Sequence, residues 1–272
     1  MKTAIHNEDL REFRQLFISE IQKQIIGLDN IYISLSGGID SSIIMFALLE
    51  LKAKFKCITF RTEGYVSPDF RSAKKMCEVL GIEFVPLVLK TDLDSLYEGA
   101  KSVASVTGKK KKTIIECCYP YLHLSKKIPN TTLLTGLGAD DLYCNQRKVQ
   151  VELHKFGEDY VKKYRKVYTD DSDFSNFNII KICKLTNVNC IDVYNSKEIT
   201  EFFNKFTVGA INKKHKLLSV GAFSDYFNKI GGYREHSSFQ VNSKLRDDFS
   251  GLIKSKYNTT NSKSVVSIYN RL

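Results

Sequence analysis

The stretch Ser36-Gly37-Gly38-Ile39-Asp40-Ser41-Ser42 gathers residue types that handle a phosphate. Gly37 and Gly38 have no Cβ, so an anion can approach their backbone and positive φ is open to them. Ser36, Ser41 and Ser42 add hydroxyl donors. Asp40 would repel a phosphate unless a cation lay between them, which predicts Mg²⁺. The loop is not a Walker loop, because no Lys follows the glycines. A plain strand-to-helix turn is the competing reading, since short Gly/Ser/Asp runs make many turns. A second Gly-rich, acidic turn, Gly136-Leu137-Gly138-Ala139-Asp140-Asp141, appears later. If the strands feeding the two turns are neighbours, Asp40 and Asp140 converge on one cation. Otherwise Asp140 and Asp141 are helix N-terminal acids favoured by the macrodipole.

The flanking pattern supplies the elements that must position these residues. Residues 31–35 form a short apolar run, as in a buried parallel strand, and a helical pattern resumes from Ser42. Strand, Gly-rich turn and helix together turn free backbone N–H groups toward an anion. Further strands are predicted at 56–60, 83–89, 131–135 and 187–193, with Pro86 marking an edge. Asn7 is read as the cap of a first helix carrying Leu10, Phe13, Phe17, Ile21 and Ile25, ended by Gly27. Ser67-Pro68-Asp69 opens another helix that stops at Gly81. Helices are also expected over 92–106, 113–128, 150–168, from Ser196, and over 217–230. Residues 169–178 read as an exposed polar loop. Its Asp170, Asp171 and Asp173 lack the Gly and closing Glu of a calcium loop. Short β-α-β alternations predict an α/β fold, a doubly wound, mainly parallel five-stranded sheet with a helical C-terminal part. Ligands of such sheets bind at carboxyl ends of strands, at a switch point. Two segments are expected, a core at 1–146 and a helical part at 147–272 that completes the same domain. The tail from residue 258 is polar, with a last apolar patch at 265–269.

The 43% hydrophobic content suffices for a sizeable core,. No stretch approaches the roughly 18 unbroken apolar residues of a membrane span. The first thirteen residues are too polar and acidic for a signal peptide,. Seven cysteines without a CxxC pair predict buried thiols in a reducing, cytoplasmic setting and argue against zinc,. The net charge of +11 fits either nucleic acid or an anionic small ligand,. The Lys run at 109–112 is either a solvated loop or a flap touching phosphate or a polyanionic acceptor. No aromatic–basic interleaving supports a nucleic-acid partner.

Ser-Gly-Gly-Xaa-Asp-Ser resembles the pyrophosphate loop of the N-type ATP pyrophosphatases. Gly136 to Tyr143 is similar to the Gly-Xaa-Gly-Ala-Asp-Glu-Leu-Phe signature of the asparagine synthetase and β-lactam synthetase branch. Ser67-Pro68-Asp69-Phe70 with Ala73 and Leu80-Gly81, the 189–202 stretch, and 231–240 (GGYREHSSFQ) resemble later segments of that branch in consistent order. The resemblance implies an adenine nucleotide alpha hydrolase-like fold and an ATP- and Mg²⁺-dependent ligase. Such a ligase adenylates a carboxylate, releases pyrophosphate, and lets an amine attack. It implies that Ser36, Gly37, Gly38, Asp40 and Ser41 bind pyrophosphate and metal; Ser42, Gly136 and Gly138 are expected to bind the cofactor with them. Asp40 and Asp140 would be metal carboxylates, and Phe60 and Arg61 would lie near adenine.

Three departures modify these expectations. Lys2 follows Met1 where glutamine-using relatives carry a nucleophilic cysteine. The nitrogen is therefore expected from free ammonia, another amine, or a separate nitrogen-donor protein. Leu137 replaces an acid associated with the amine step. His236 aligns with the lysine that stabilises the adenylation transition state, and Arg234 and Lys244 are substitute cations. Arg234 is the better substitute because its charge does not depend on pH. A surface His without a role is the alternative for His236. The sequence is also compatible with two further functions: modification of a nucleotide or tRNA base within the same superfamily, and ATP binding without catalysis.

Overall fold

The computed structural model describes residues 1–170, 175–212, 215–234 and 239–257. The expectations for Asp171, Asp173, His236 and the tail from 258 lie outside the described residues.

The chain begins with α1 (Asn7–Ile25), β1 (Ile31–Ser34), α2 (Ile39–Glu50), β2 (Phe55–Thr62), α3 (Pro68–Leu80) and β3 (Phe84–Leu89). It continues with α4 (Leu93–Thr107), α5 (Lys112–Lys127), β4 (Thr132–Thr135), α6 (Ala139–Leu142), α7 (Arg147–Phe156), α8 (Glu158–Asp170), α9 (Ser175–Lys184) and β5 (Asn189–Asp192). The last elements are α10 (Lys197–Phe203), α11 (Val208–Ile211), α12 (Leu217–Ala222), α13 (Ser224–Lys229), α14 (Phe239–Asn242) and α15 (Leu245–Tyr257).

The five strands form one sheet in the order β3-β2-β1-β4-β5, every pair parallel. The chain winds outward from β1 through β2 to β3, then crosses back to β4 and β5. The switch point therefore lies between β1 and β4. Pro86 sits on the edge strand β3, where a missing N–H costs no ladder bond,.

Side chains alternate across the sheet and divide the interior in two. Ile33, Cys57 and Leu134 join α1, α2, α3, α10 and α12 in one core. Ile58, Leu133 and Cys190 join α4, α5, α9 and α15 in the other. The cysteines are free thiols, all buried except the half-buried Cys117. Among the described residues no helix is long and apolar enough to cross a membrane.

Several element boundaries differ from expectation for local reasons. Asn7 is the first helical residue of α1, not its cap. The cap is His6, whose N–H donates to Asp9 Oδ2 at 2.9 Å. The helix expected over 150–168 is two helices, broken at Gly157, whose φ of 69° and ψ of −168° suit glycine alone,. The helix expected over 217–230 is interrupted at Phe223. Residues 169–178 are not an exposed loop throughout: α9 starts at Ser175, and Asn176 and Asn178 are buried. The fifth strand belongs to the 147–272 segment, so the sheet itself crosses the expected boundary.

Candidate active site

β1 and β4 run side by side, with Ser34 paired to Thr135, so the turns that follow them leave the sheet together. Gly136 makes their approach possible. A Cβ there would stand 2.9 Å from Ser41 N and 3.1 Å from the Asp40 carbonyl carbon. Gly37 has φ +73°, and a Cβ on it would meet Ser72 Cβ at 2.8 Å and Asp69 O at 2.9 Å. The loop is thus wedged between α3 and the turn after β4. Gly38, by contrast, is extended and precedes α2.

A cavity of about 770 Å³ opens where these turns meet. Ser36, Asp40, Ser41, Phe60, Gly136, Gly138, Asp140 and Arg234 all line it. Ser36 Oγ and Ser41 Oγ lie 3.0 Å apart, and Ser36 N donates to Ser41 Oγ at 3.1 Å. Gly37, Gly38 and Ser42 line a smaller neighbouring cavity of about 180 Å³, which shares Arg234. Ser42 Oγ donates to Gly38 O at 2.6 Å. Arg61 does not line the main cavity; its Nη1 donates to Thr62 O at 3.3 Å.

Asp40 and Asp140 come together in three dimensions, with a lysine between them. Lys216 Nζ is 2.5 Å from Asp40 Oδ2 and 2.8 Å from Asp140 Oδ1. Lys216 is buried, in the left-handed region at φ 48°, directly before α12. Burial pushes its pKa down, but the two carboxylates outweigh burial and the net shift is upward,. Sequence reasoning missed this residue. It closes the run Lys213-Lys214-His215-Lys216, and such runs are ordinarily solvated faces,. Its only local signal is a cation just before an apolar helix.

Asp141 turns inward. Tyr164 Oη and Gln146 Nε2 both donate to its Oδ1 at 2.5 Å. Burial raises its pKa to about 6, with the Asp140 charge adding to the rise and the two donors opposing it. Arg234 Nη2 lies 3.2 Å from Asp69 Oδ1, and Asn242 Nδ2 donates to both oxygens of the same carboxylate. Lys244 does not line the cavity. Its ammonium stands 4.3 Å from the centre of the Tyr65 ring, a cation–π arrangement,.

Two carboxylates meeting one cation beside a polar loop suit a divalent ion that also takes phosphate oxygens, which is how Mg²⁺ is usually held. Among the described residues no cluster of three or more acidic, His or Cys side chains could hold a metal by protein ligands alone.

An open parallel sheet with a Gly-rich strand-to-helix turn at its switch point defines the doubly wound α/β class, whose ligands sit at the carboxyl ends of the strands,. The chain belongs to the asparagine synthase family, whose model matches residues 12–167. It is 27% identical over 140 residues to the glutamine-hydrolysing asparagine synthetase of Gallus gallus, a match covering 47% of this chain and 24% of that protein. The chain thus spans about a quarter of that relative's length. Among solved structures it is similar to the NH3-dependent NAD synthetase of Campylobacter jejuni, with a TM-score of 0.40 at 10% identity, covering 96% of this chain and 92% of that one. It is also similar to the U34-tRNA thiolase of Methanococcus maripaludis, with a TM-score of 0.37 at 18% identity, covering 95% and 78%.

Proposed function

We propose that the protein is an ATP-dependent ligase that forms AMP and pyrophosphate. A substrate carboxylate oxygen attacks the α-phosphorus of ATP. The O–P bond forms, the bond to the β-phosphate oxygen breaks, and pyrophosphate leaves. An amine or ammonia then attacks the acyl carbon, AMP departs, and the nitrogen gives up its proton. The observation that carries the reading is the meeting of Asp40 and Asp140 around Lys216 Nζ, at the ends of two adjacent parallel strands.

In this reading Ser36, Ser41 and the backbone of the Gly37-Gly38 loop receive the phosphates. Asp40 and Asp140 hold Mg²⁺, which would neutralise charge on the departing pyrophosphate. Phe60 packs against the base. Lys216 becomes the cation that stabilises the transition state, the role expected of Arg234, His236 or Lys244. Arg234, oriented by Asp69, assists at the edge of the cavity, while Lys244 is too occupied with Tyr65 to take part. The 1–146 and 147–272 segments act as one domain. The acid and the nitrogen donor are small molecules.

The test is pyrophosphate release from ATP across a panel of carboxylic acids, with and without an ammonium salt. Release that depends on one acid, with AMP as co-product, supports the reading. ADP and phosphate as products would rule it out. The net charge of +11 favours a second reading, modification of a nucleotide or tRNA base. RNA binding that weakens steeply with salt, together with RNA-dependent pyrophosphate release, would move the assignment there.

A further inference from the structure

The short helix α6 carries Asp140, and its far end is held in an unusual way. Backbone N–H groups of Tyr143, Asn145 and Cys144 take the carbonyls of Ala139, Asp140 and Asp141. The chain then turns left-handed at Cys144, with φ 55°, and the next three carbonyls are left without helical partners,. Each is met by a side chain from a different part of the C-terminal segment. Arg165 Nε donates to Leu142 O at 2.8 Å. Asn212 Nδ2 donates to Tyr143 O at 2.7 Å. Gln150 Nε2 donates to Cys144 O at 2.5 Å.

Arg165 is the costliest of the three. It is the largest fully buried side chain in the protein's described part. Its Nη1 reaches Phe203 O and Asn204 Oδ1, both at 3.1 Å, so the guanidinium ties α6 to the end of α10. All three acceptors are carbonyl oxygens, and burial lowers its pKa. Desolvating a guanidinium for such partners is expensive. An apolar side chain would fill the space without that cost, but it would leave Leu142 O with no N–H donor, only the weak Cys144 Sγ contact at 3.8 Å,.

We propose that Arg165 is a positioning residue: by bridging Leu142 O to α10 it fixes the single turn of α6, and with it the Asp140 carboxylate opposite Asp40. The inference rests on the reading of Asp40 and Asp140 as the holders of metal-bound ATP. A planar, forked donor suits the task because one rigid group meets acceptors on two elements. Partners one step behind metal-binding carboxylates fix their orientation, and losing them weakens metal binding.

The test compares wild type with Arg165→Lys and Arg165→Met by backbone hydrogen exchange and by equilibrium dialysis with Mn²⁺·ATP and with metal-free ATP. Arg165→Lys keeps the buried charge, so the experiment stands even if Arg165→Met does not fold. In Arg165→Lys, exchange across residues 139–145 should quicken while α2 stays protected. Mn²⁺·ATP affinity should fall by about 10- to 100-fold, with metal-free ATP affected far less. Unchanged exchange across 139–145 overturns the proposal. So does a loosened turn with Mn²⁺·ATP affinity intact, since Arg165 would then be only structural. If the wild-type protein binds no Mn²⁺·ATP, the failure falls on the ATP reading, and the exchange comparison still decides whether Arg165 sets the turn.

Discussion

Lys216 Nζ lies 2.5 Å from Asp40 Oδ2, joining residues 176 positions apart in the chain. The same nitrogen reaches Asp140 Oδ1 at 2.8 Å, so one lysine bridges the two carboxylates. In the proposed reaction a metal–triphosphate brings its own cation together with anions for the lysine to meet. Removing the lysine should therefore harm both folding and chemistry. For Lys216→Met we expect a stability loss of roughly 3 kcal/mol in urea unfolding, the low end for a broken buried pair because Asp140 is largely exposed,. Pyrophosphate release should fall about 10²- to 10³-fold. An unchanged rate would remove Lys216 from the mechanism. Because its pKa is raised above 10.5, the stability it contributes is present through neutral pH and is lost only as alkalinity passes the folded-state value,.

Asp40→Ala should abolish pyrophosphate release, and Asp140→Asn should raise the Mg²⁺ concentration needed for half-maximal release. Titration of Mg²⁺ at saturating ATP measures both. Identical Mg²⁺ curves for Asp140→Asn and wild type would separate Asp140 from the metal.

Asp141 makes a pH-dependent prediction. Its pKa is 3.8 in the unfolded chain and about 6 in the folded one, so between those values the native state keeps a proton that the unfolded state has released. Stability contributed at this site therefore falls as pH rises through that window and levels off above it. The difference corresponds to roughly 3 kcal/mol. Measured by urea unfolding without metal, wild type should lose about that much relative to Asp141→Asn between about pH 4 and about pH 7. Parallel curves for the two proteins would contradict it.

Gly37 and Gly27 share a left-handed backbone but differ in their surroundings. A Cβ at Gly27 meets nothing within 4 Å, whereas one at Gly37 meets α3. Gly27→Ala should cost about 1–2 kcal/mol from backbone strain alone. Gly37→Ala should cost a further 1–3 kcal/mol or so from overpacking and should also weaken ATP binding. Thermal unfolding with and without ATP distinguishes the two effects.

Arg234 lines the main cavity and Lys244 does not. Arg234→Met should slow pyrophosphate release by about 100-fold, the lower range for a lost charge-stabilising group. Lys244→Met should stay within about twofold, as for an exposed substitution. The reverse order would restore Lys244 as the cation of the site.

The local chain was enough to determine the two Gly-Asp turns, the β-α alternation that feeds them, and the edge placement of β3. Each follows from short-range physics: glycine's missing Cβ, the period of apolar residues, and proline's missing N–H. The break at Gly157 was equally local and was obscured by the helical periodicity on either side. Tertiary structure alone decided that Lys216 closes the pair of aspartates and that Arg165 holds the turn beneath one of them. A lysine in a basic run and an arginine in a charged helix look like solvated surface until distant segments bury them. Their roles come from desolvation and from partners brought in across the fold, and no spacing along the chain encodes either.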